Sequence, residues 1–245
     1  MVMEEIRLNK YLSEMGVCSR READRLIKGG NVLVDGKPAS VGMRIQGCET
    51  VVCDGRPVGN PQSGGRPKPV LLAVNKPKGI VCTTTDKDRA PNIVEMVKYP
   101  ERVYPVGRLD KDSEGLIFLT NQGELVNRIM RGANNHEKEY VVWVNKVVTR
   151  EFAGKMEAGL WLEELNVTTK PCRITVTGKQ EFHIVLTQGL NRQIRRMCET
   201  LGYRVTGLRR IRIMNVCLGS LKTGTFRKVT AREYKTLMEM LEDGR

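Results

Sequence analysis

The feature that most constrains the fold is a break in the sequence pattern at residues 56–69. This stretch reads RPVGNPQSGGRPKP and holds four Pro and three Gly without any apolar periodicity. Such a composition is typical of a linker, because Pro and Gly disfavour regular helices and strands. A long loop inside one domain is the alternative, and the change of composition on either side favours the linker. The sequence therefore predicts two domains, residues 1–59 and 70–245, joined by a linker at 60–69.

Positive charge is concentrated in the second of these domains. The 245-residue chain has a formal net charge of +13, yet residues 1–59 hold nine basic and eight acidic side chains. Residues 60–245 hold 32 basic and 20 acidic side chains. Such an excess indicates a polyanionic partner, for which a phosphate backbone is the usual source.

The cysteines and histidines do not have the spacing of metal ligands. None of the seven Cys forms a CxxC pair, and the only two His, His136 and His183, lie far apart. A structural metal site is therefore not expected. Scattered cysteines without a signal peptide predict a cytoplasmic location. No apolar run is long enough to span a bilayer, so no membrane partner is expected.

The N-terminal domain has the pattern of two short helices followed by short strands. The apolar residues of 6–16 are spaced for a helix. Ser19 and Glu22 form a capping-box pattern that opens a second helix, which Gly29 ends. The runs NVLV, KPAS and TVVC then predict short strands joined by Asp-Gly turns.

Strands and helices alternate after Val70. Strands are predicted at 70–77, 79–85, 116–120, 138–144, 172–177 and 181–187. Helices are predicted at 125–130 and 192–202, and Thr230 and Glu233 form a second capping box that opens a terminal helix.

The densest group of charged residues in this domain precedes the strand at 116–120. The segment 103–124 reads VYPVGRLDKDSEGLIFLTNQGE, with Asp110 between Arg108 and Lys111. Neighbouring cations favour the ionised form of a carboxylate, and a fixed carboxylate can act as a nucleophile, a base or a charge stabiliser. The alternative is that these charges cap a turn and form surface ion pairs.

A second cluster is rich in arginine. Residues 187–212 contain seven Arg, no Lys and a single acidic residue, Glu199. Arg suits planar, bidentate contact with phosphate or carboxylate. Arg192, Arg195 and Arg196 are placed at a predicted helix start, where cations are unfavourable unless an anion binds. The cluster therefore predicts an anionic partner, and a basic surface helix is the alternative.

The N-terminal domain resembles a known RNA-binding module. The residues RLNKYLSEMGVCSRREADRLIKGGNVLVDGKPA are similar to the alpha-L module named from a small-subunit ribosomal protein. In that family a helix pair and a small sheet place a basic face on structured RNA. The resemblance implies RNA contacts from Arg7, Lys10, Ser19, Arg20, Arg21, Arg25 and Lys28.

Over residues 6–245 the chain resembles the pseudouridine synthases that act on small-subunit and large-subunit rRNA. The matching motifs are NKPKG, GRLDKDSEGLIFLTNQGEL, KEY and GLNRQIRRM. The segments NHEKEY, RQIRRMCE and RIRIMNV look most like the F-type, large-subunit members. The resemblance implies an α+β protein, with the small alpha-L domain followed by a mixed, largely antiparallel sheet with flanking helices.

The same resemblance assigns roles to individual residues. Asp110 matches the family's nucleophile, and Arg195 matches the basic residue that pairs with it. Tyr140 matches the ring that stacks on the target base, and Arg108 matches the residue that fills the gap left by the flipped nucleotide. The motif that holds Lys76 is mainly structural in the family. Lys76, Arg192 and Arg196 are also expected on the RNA-binding side of the site.

The resemblance further implies that uridine is isomerised to pseudouridine in RNA, without a cofactor or a metal. The expected target is a hairpin of 23S rRNA, although relatives also modify tRNA or 16S rRNA. A monomer is expected. An RNA-binding or ribosome-assembly protein without activity is the alternative, but such a protein has no need of Asp110 inside a basic cleft. A glycosidase that pairs Asp110 with Asp112 or Glu114 is a weaker alternative, because all three carboxylates lie in one loop.

Overall fold

The computed structural model describes residues 5–59, 67–83, 90–130 and 136–243. The chain forms two compact units. One comprises the described part of Met1–Pro69 with Pro100–Arg102 and Asn121–Gly123, and the other comprises the rest. Most of the predicted linker, residues 60–66, lies outside the described residues.

The N-terminal unit consists of two helices and short strands. Its elements are β1 (Ile6–Arg7), α1 (Leu8–Glu14), α2 (Arg20–Lys28), β2 (Val32–Val34), β3 (Lys37–Pro38), β4 (Arg44–Ile45), β5 (Val51–Cys53) and β6 (Arg56–Val58). The first helix begins later than predicted, because Ile6 and Arg7 pair with β4 instead. The backbone N–H of Glu22 donates to Ser19 Oγ, as the predicted cap requires.

The helices and the small sheet of this unit pack around one apolar core in the described residues. Strands β3-β2-β5-β6 form a sheet in that order, and Leu8, Leu12 and Ile27 of the helices pack with Val32 and Val51 of the sheet. The basic side chains are consequently left on the outer faces of the helices, since the inner faces are apolar.

The C-terminal unit contains a large sheet with helices around it. Its strands are β7 (Leu71–Lys76), β8 (Tyr104–Pro105), β9 (Glu114–Thr120), β10 (Lys138–Val144), β11 (Trp161–Leu162), β12 (Val167–Thr168), β13 (Arg173–Gly178), β14 (Glu181–Leu186), β15 (Val205–Ile213), β16 (Val216–Cys217) and β17 (Phe226–Lys228). Its helices are α3 (Ile93–Val97), α4 (Gly123–Met130), α5 (Arg150–Ala158), α6 (Gln193–Thr200) and α7 (Ala231–Asp243).

The main sheet is mixed and largely antiparallel, as the sequence predicts. Its order is β13-β14-β10-β15-β9-β7-β17, with β16 added to β15 and β8 added to β9. Within the described residues, β15 and β9 are the one parallel pair of this sheet. Strands β11 and β12 pair separately.

Gly115 makes the parallel pairing possible. It has φ +105° and lies opposite Arg210 in the register of β9 and β15. A Cβ atom at this position would overlap the backbone oxygen of Arg210. Only glycine combines this backbone conformation with so close an approach. Gly115 of the long central motif therefore has a structural explanation.

Alternating side chains of β7 and β9 face two different cores. Phe118 and Leu116 pack with α4 and α7 on one face, while Ile117 and Leu119 pack with α3 on the other. This burial on both faces explains why the strand at 116–120 reads as a continuous apolar run. A third core lies between β10, β14, α5 and α6.

One predicted strand of this unit is wrong in its described part. Residues 79–83 form no strand there, and Val81 makes only an isolated bridge with Asn92. The buried ammonium of Lys76 binds the carbonyl oxygens of Pro77 and Ile80, and so fixes a turn directly after β7. Residues 84–85 of the prediction lie outside the described part of the chain.

The terminal helix α7 begins where the second capping box predicts. The backbone N–H of Glu233 donates to Thr230 Oγ1, and the backbone N–H of Thr230 donates to Glu233 Oε2. In the parts of the chain that the structure covers, no helix combines the length and apolarity that crossing a bilayer needs.

Candidate active site

The loop between β8 and β9 presents Asp110 on a fixed backbone. Leu109 is buried, and its N–H and C=O both contact the Sγ atom of Cys82, at 3.4 and 3.3 Å. The next residues form a tight turn, because the N–H of Ser113 donates to the carbonyl oxygen of Asp110 at 3.1 Å. Burial raises the pKa of the Cys82 thiol, which keeps it neutral beside the loop. Asp110 is therefore held between two anchored residues.

A cavity of about 500 Å³ lies beside this loop. It is bounded by the loop, by β10 and β15 of the sheet, and by the segment that leads into α6. The size is within the usual range for a small-molecule or nucleotide pocket. The charged residues that line it are Arg108, Asp110, Lys138, Arg192, Arg195 and Arg210. Asp110 is thus the one carboxylate of the described lining, among five arginine and lysine side chains.

Among the described residues, Arg192 is the cation that pairs with the Asp110 carboxylate. Arg192 Nη1 lies 3.6 Å from Asp110 Oδ2 and 3.4 Å from Asp112 Oδ1. Arg192 precedes α6 with a left-handed backbone, φ +50°. Its side chain is 40% exposed and that of Asp110 is 29% exposed, so this contact is open to solvent. An anionic substrate can therefore reach both groups.

Arg195 lies deeper, in the first turn of α6, and it binds the turn rather than Asp110. Its Nη2 atom is 3.1 Å from Asp112 Oδ2, 3.3 Å from the Asp112 carbonyl oxygen and 3.2 Å from Ser113 Oγ. The predicted Asp110–Arg195 ion pair is not found among the described contacts. The reason is geometric: α6 begins at Gln193, which leaves Arg192 beside Asp110 and sets Arg195 under the turn.

Tyr140 and Arg108, two of the expected site residues, both line the cavity. Tyr140 lies on β10, is 9% exposed, and is opposite Arg210 in the sheet register. The guanidinium carbon of Arg210 is 5.9 Å from the Tyr140 ring centroid. Arg108 is exposed, two residues before Asp110. The two residues thus belong to different regions of one cavity, Tyr140 to its buried wall and Arg108 to its exposed rim.

The expected RNA-binding role of Lys76 is wrong. Lys76 is fully buried, and its Nζ donates to the carbonyl oxygens of Pro77 and Ile80 at 2.9 and 2.8 Å. Burial lowers the pKa of this ammonium, opposed by the charges of Asp110 and Asp112 nearby. Lys76 therefore supports the site from behind, in agreement with the structural role of its motif.

Arg196 is also placed differently from the expectation. Its guanidinium pairs with Glu164, and its Nε and Nη2 donate to the backbone and side-chain oxygens of Asn191. It does not line the cavity, because one residue along a helix turns a side chain by about 100°. These internal partners leave Arg196 little capacity for an external phosphate.

In the N-terminal unit most of the expected RNA contacts are exposed. Arg7, Arg20, Arg21, Arg25 and Lys28 are exposed. Lys10 is half-buried and pairs with Glu14 at 3.5 Å, and Arg25 pairs with Glu22. Ser19 is half-buried and caps α2. Exposed arginines with at most one acidic neighbour are available to phosphate groups.

Sequence reasoning missed two residues of the cavity, Arg210 and Lys138. Arg210 is 4% exposed, and burial together with the charge of Arg210 lowers the pKa of Lys138 to about 8. The available signal was the strand pattern of 205–213, in which Leu208 and Arg210 occupy inward positions. In the sequence this segment is dominated by arginines, which obscure the alternation of inward and outward positions along the strand.

Comparison with known families agrees with this architecture. The model of the RNA pseudouridylate synthase family matches residues 70–200, and the S4 domain model matches residues 6–51. The chain belongs to the RNA pseudouridylate synthase family, and it is an enzyme that isomerises uridine to pseudouridine in RNA.

Individual relatives show that, within this family, the chain belongs to the rRNA type predicted from the sequence. The chain is 50% identical over 236 residues to the dual-specificity RNA pseudouridine synthase RluF of Salmonella typhi, covering 96% of this chain and 80% of the relative. It is 33% identical to the ribosomal large subunit pseudouridine synthase B of Bacillus subtilis, covering 98% of each. A crystal structure of a pseudouridylate synthase superposes with a TM-score of 0.69 at 27% identity, covering 95% of this chain and 99% of that one.

Proposed function

We propose that Asp110 is the catalytic nucleophile. The observation that carries this proposal is its position as the one carboxylate in the described lining of a cationic cavity. A single fixed carboxylate at a partly exposed position can attack the nucleoside or assist departure of the base. Its loop is anchored on both sides, by Leu109 against Cys82 and by the turn to Ser113.

The other polar groups of the cavity have roles that follow from their depth. Arg192 contacts the Asp110 carboxylate and orients it, while Arg195 holds the turn that carries Asp110. Tyr140 offers a buried ring on which the target base stacks. Arg108, at the exposed rim, replaces the flipped nucleotide in the RNA stack. Extrusion of a base costs about a few kcal/mol, which contacts of this kind offset.

The N-terminal unit increases affinity for RNA without taking part in the chemistry. We assign it to residues 1–59, with the linker at 60–69 and the catalytic domain at 70–245. Its proposed phosphate contacts are Arg7, Lys10, Ser19, Arg20, Arg21, Arg25 and Lys28. These contacts are sequence-independent, so they add affinity and orient the substrate rather than select the uridine.

The proposed substrate is a hairpin of 23S rRNA. This follows from the similarity to an F-type relative and to a synthase named for the large ribosomal subunit. The F-type relative is named a dual-specificity enzyme, so a second RNA, of which tRNA is our candidate, belongs to the proposal. We further propose that the enzyme acts in the cytoplasm as a monomer.

Pseudouridine mapping tests the substrate directly. Total rRNA and tRNA are compared from cells with the gene, without it, and with the gene restored as wild type or as Asp110→Asn. The proposal predicts one or a few sites in 23S rRNA, with or without a tRNA site, that disappear on deletion. Wild-type protein should restore them and Asp110→Asn should not. Loss of sites only in 16S rRNA, or restoration by Asp110→Asn, would contradict the proposal.

A further inference from the structure

The guanidinium of Arg210 has a hydrogen-bonding capacity that the fold does not use. Its Nε donates to the carbonyl oxygen of Leu116 at 2.6 Å, which fixes the side chain. Its Nη2 atom is buried and has no partner in the described part of the chain. Arg210 is 4% exposed and lines the cavity. A buried donor without an acceptor is unfavourable, so the arrangement indicates an acceptor supplied by a ligand.

Lys138 places a second donor in the same region of the cavity. It begins β10, the strand that pairs with β15. Among the described residues its Nζ has one hydrogen bond, a long one of 3.5 Å to the carbonyl oxygen of His136. Burial, and then the charge of Arg210, lower the pKa of this ammonium. The acid of the described cavity lining, Asp110, is instead associated with Arg192. Two cations that line one cavity, with no carboxylate partner among the described residues, favour the binding of an electron-rich group.

The burial of Arg210 indicates whether the electron-rich group comes from the base or from the phosphate of the RNA. Arg108 and Arg192 are exposed at the rim, where a phosphate can reach them from solvent, whereas Arg210 is almost completely buried beside the Tyr140 ring. If Tyr140 stacks on the flipped base, groups next to its ring meet the edge of that base. The phosphate stays closer to solvent and to the rim.

We propose that Arg210 and Lys138 form a subsite that binds the carbonyl oxygens of the target uracil. This inference rests on the proposed function and names the groups that select the base. Guanidinium and ammonium groups only donate hydrogen bonds. Uracil presents the acceptors O2 and O4, whereas cytosine presents an amino group in place of O4. A donor-only subsite therefore favours uracil, because the cytosine amino group would leave buried donors unpaired.

The symmetry of uracil explains how one subsite serves both halves of the reaction. In the isomerisation the N1–C1′ bond breaks and a C5–C1′ bond forms, while C5 loses a proton and N1 gains one. Turning the ring by half a revolution about its N3–C6 axis exchanges N1 with C5, and it also exchanges O2 with O4. Arg210 and Lys138 thus meet a carbonyl oxygen before and after the turn. They also stabilise negative charge on that oxygen while the base is detached.

The test is a double-mutant cycle between protein and RNA under single-turnover conditions. The substrates are one RNA hairpin with the mapped target as uridine, as 2-thiouridine or as 4-thiouridine, and one with a methylphosphonate on its 5′ side. Sulfur accepts hydrogen bonds weakly, and the methylphosphonate removes the phosphate charge. Lys138→Met and Arg210→Lys are compared with the wild type, and Arg209→Met is the control. Arg209 is the next residue on β15, pairs with Glu114 at 2.9 Å and does not line the cavity.

The expected result is a loss of rate of about 100-fold for Lys138→Met on the uridine hairpin, with a similar apparent affinity for RNA. On at least one thiouridine hairpin, the rates of the wild type and Lys138→Met should differ by about threefold or less. On the methylphosphonate hairpin, the two rates should still differ by about 100-fold. Arg209→Met should stay within about threefold of wild type. If the methylphosphonate abolishes the loss, the subsite binds phosphate, and if no substrate changes it, both residues are structural. Either result overturns the proposal. A wild-type enzyme without activity on the uridine hairpin would overturn the proposed substrate instead.

Discussion

Replacing Arg195 by Met removes the contacts that hold the turn carrying Asp110. Arg195 Nη2 donates to Ser113 Oγ and to the carbonyl oxygen of Asp112, and Ser113 is fully buried. A buried acceptor that loses its donor costs about 1–3 kcal/mol. The ion pair with Asp112 adds about 0–1 kcal/mol, because that carboxylate is 51% exposed.

One effect of the substitution is favourable. The Nε atom of Arg195 is buried without a partner in the described residues, and its removal returns about 1 kcal/mol. The midpoints of these ranges give a net destabilisation of about 1.5 kcal/mol. For a protein of this size that lowers the melting temperature by about 3–6 °C.

The effect on catalysis should exceed the effect on stability. A displacement of about 1 Å in a catalytic group costs about 100-fold in rate, and Asp110 begins the turn that Arg195 anchors. We expect kcat to fall about 100-fold, with KM for the RNA changed by no more than about threefold, because most affinity comes from phosphate contacts. Arg195→Lys should recover part of the rate, since an ammonium can still reach one acceptor.

Steady-state kinetics on the mapped RNA hairpin, with thermal unfolding of the same samples, measures these quantities. Arg204→Met is the matched control, because it is an exposed arginine of the same segment that does not line the cavity. If Arg195→Met keeps a normal kcat while its KM rises, Arg195 is a phosphate contact and the assigned positioning role is wrong.

Two further predictions concern the stability of the C-terminal unit. Gly115→Ala should destabilise the protein by at least about 3 kcal/mol, because the new Cβ meets the Arg210 backbone. Gly154→Ala in α5 should instead stabilise the protein by about 0.5–1 kcal/mol, since that position is open. Thermal unfolding of both variants tests this prediction, and equal stabilities of the two variants would refute it. Arg227 binds Glu233 through both carboxylate oxygens at 2.7 Å and is the main cause that lowers the pKa of Glu233 from 4.5 to about 2. The resulting stabilisation, about 2 kcal/mol, is present above pH 4.5 and is lost as the pH falls toward 2. Glu233→Gln should therefore be less stable than wild type at pH 7 and nearly equal to it at pH 2. Chemical denaturation at both pH values tests this prediction, and a difference in stability that persists at pH 2 would contradict it.

Much of the fold was predictable because its local signals agree with its tertiary structure. The strand Glu114–Thr120 is apolar on both faces and lies in the interior of the sheet, and both capping boxes begin helices. The strand predicted at 79–85 is wrong over its described part, 79–83, because a tertiary contact overrides its propensity. The buried Lys76 ammonium turns the chain there, and no local pattern reports that a lysine is buried.

The candidate site was predictable in its residues but less so in its pairings. Asp110 and the arginines at the start of α6 stand out by type and spacing, whereas the roles expected of Tyr140 and Arg108 came from the family resemblance. Which arginine faces Asp110 depends on the residue at which α6 begins, and a shift of one residue turns a side chain by about 100°. Arg210 was missed because its significance lies in burial and in an unused donor, both of which are properties of the folded chain.

The account rests most directly on Asp110 as nucleophile, and one paired measurement on Asp110→Asn tests it. Release of tritium from RNA labelled at C5 of uridine measures turnover, and filter binding measures affinity for the same RNA. Asn preserves the shape of the side chain but removes its charge and nucleophilicity, while the phosphate contacts are unchanged. The account predicts no detectable tritium release with an affinity within about threefold of wild type. Near-normal release by Asp110→Asn would contradict it.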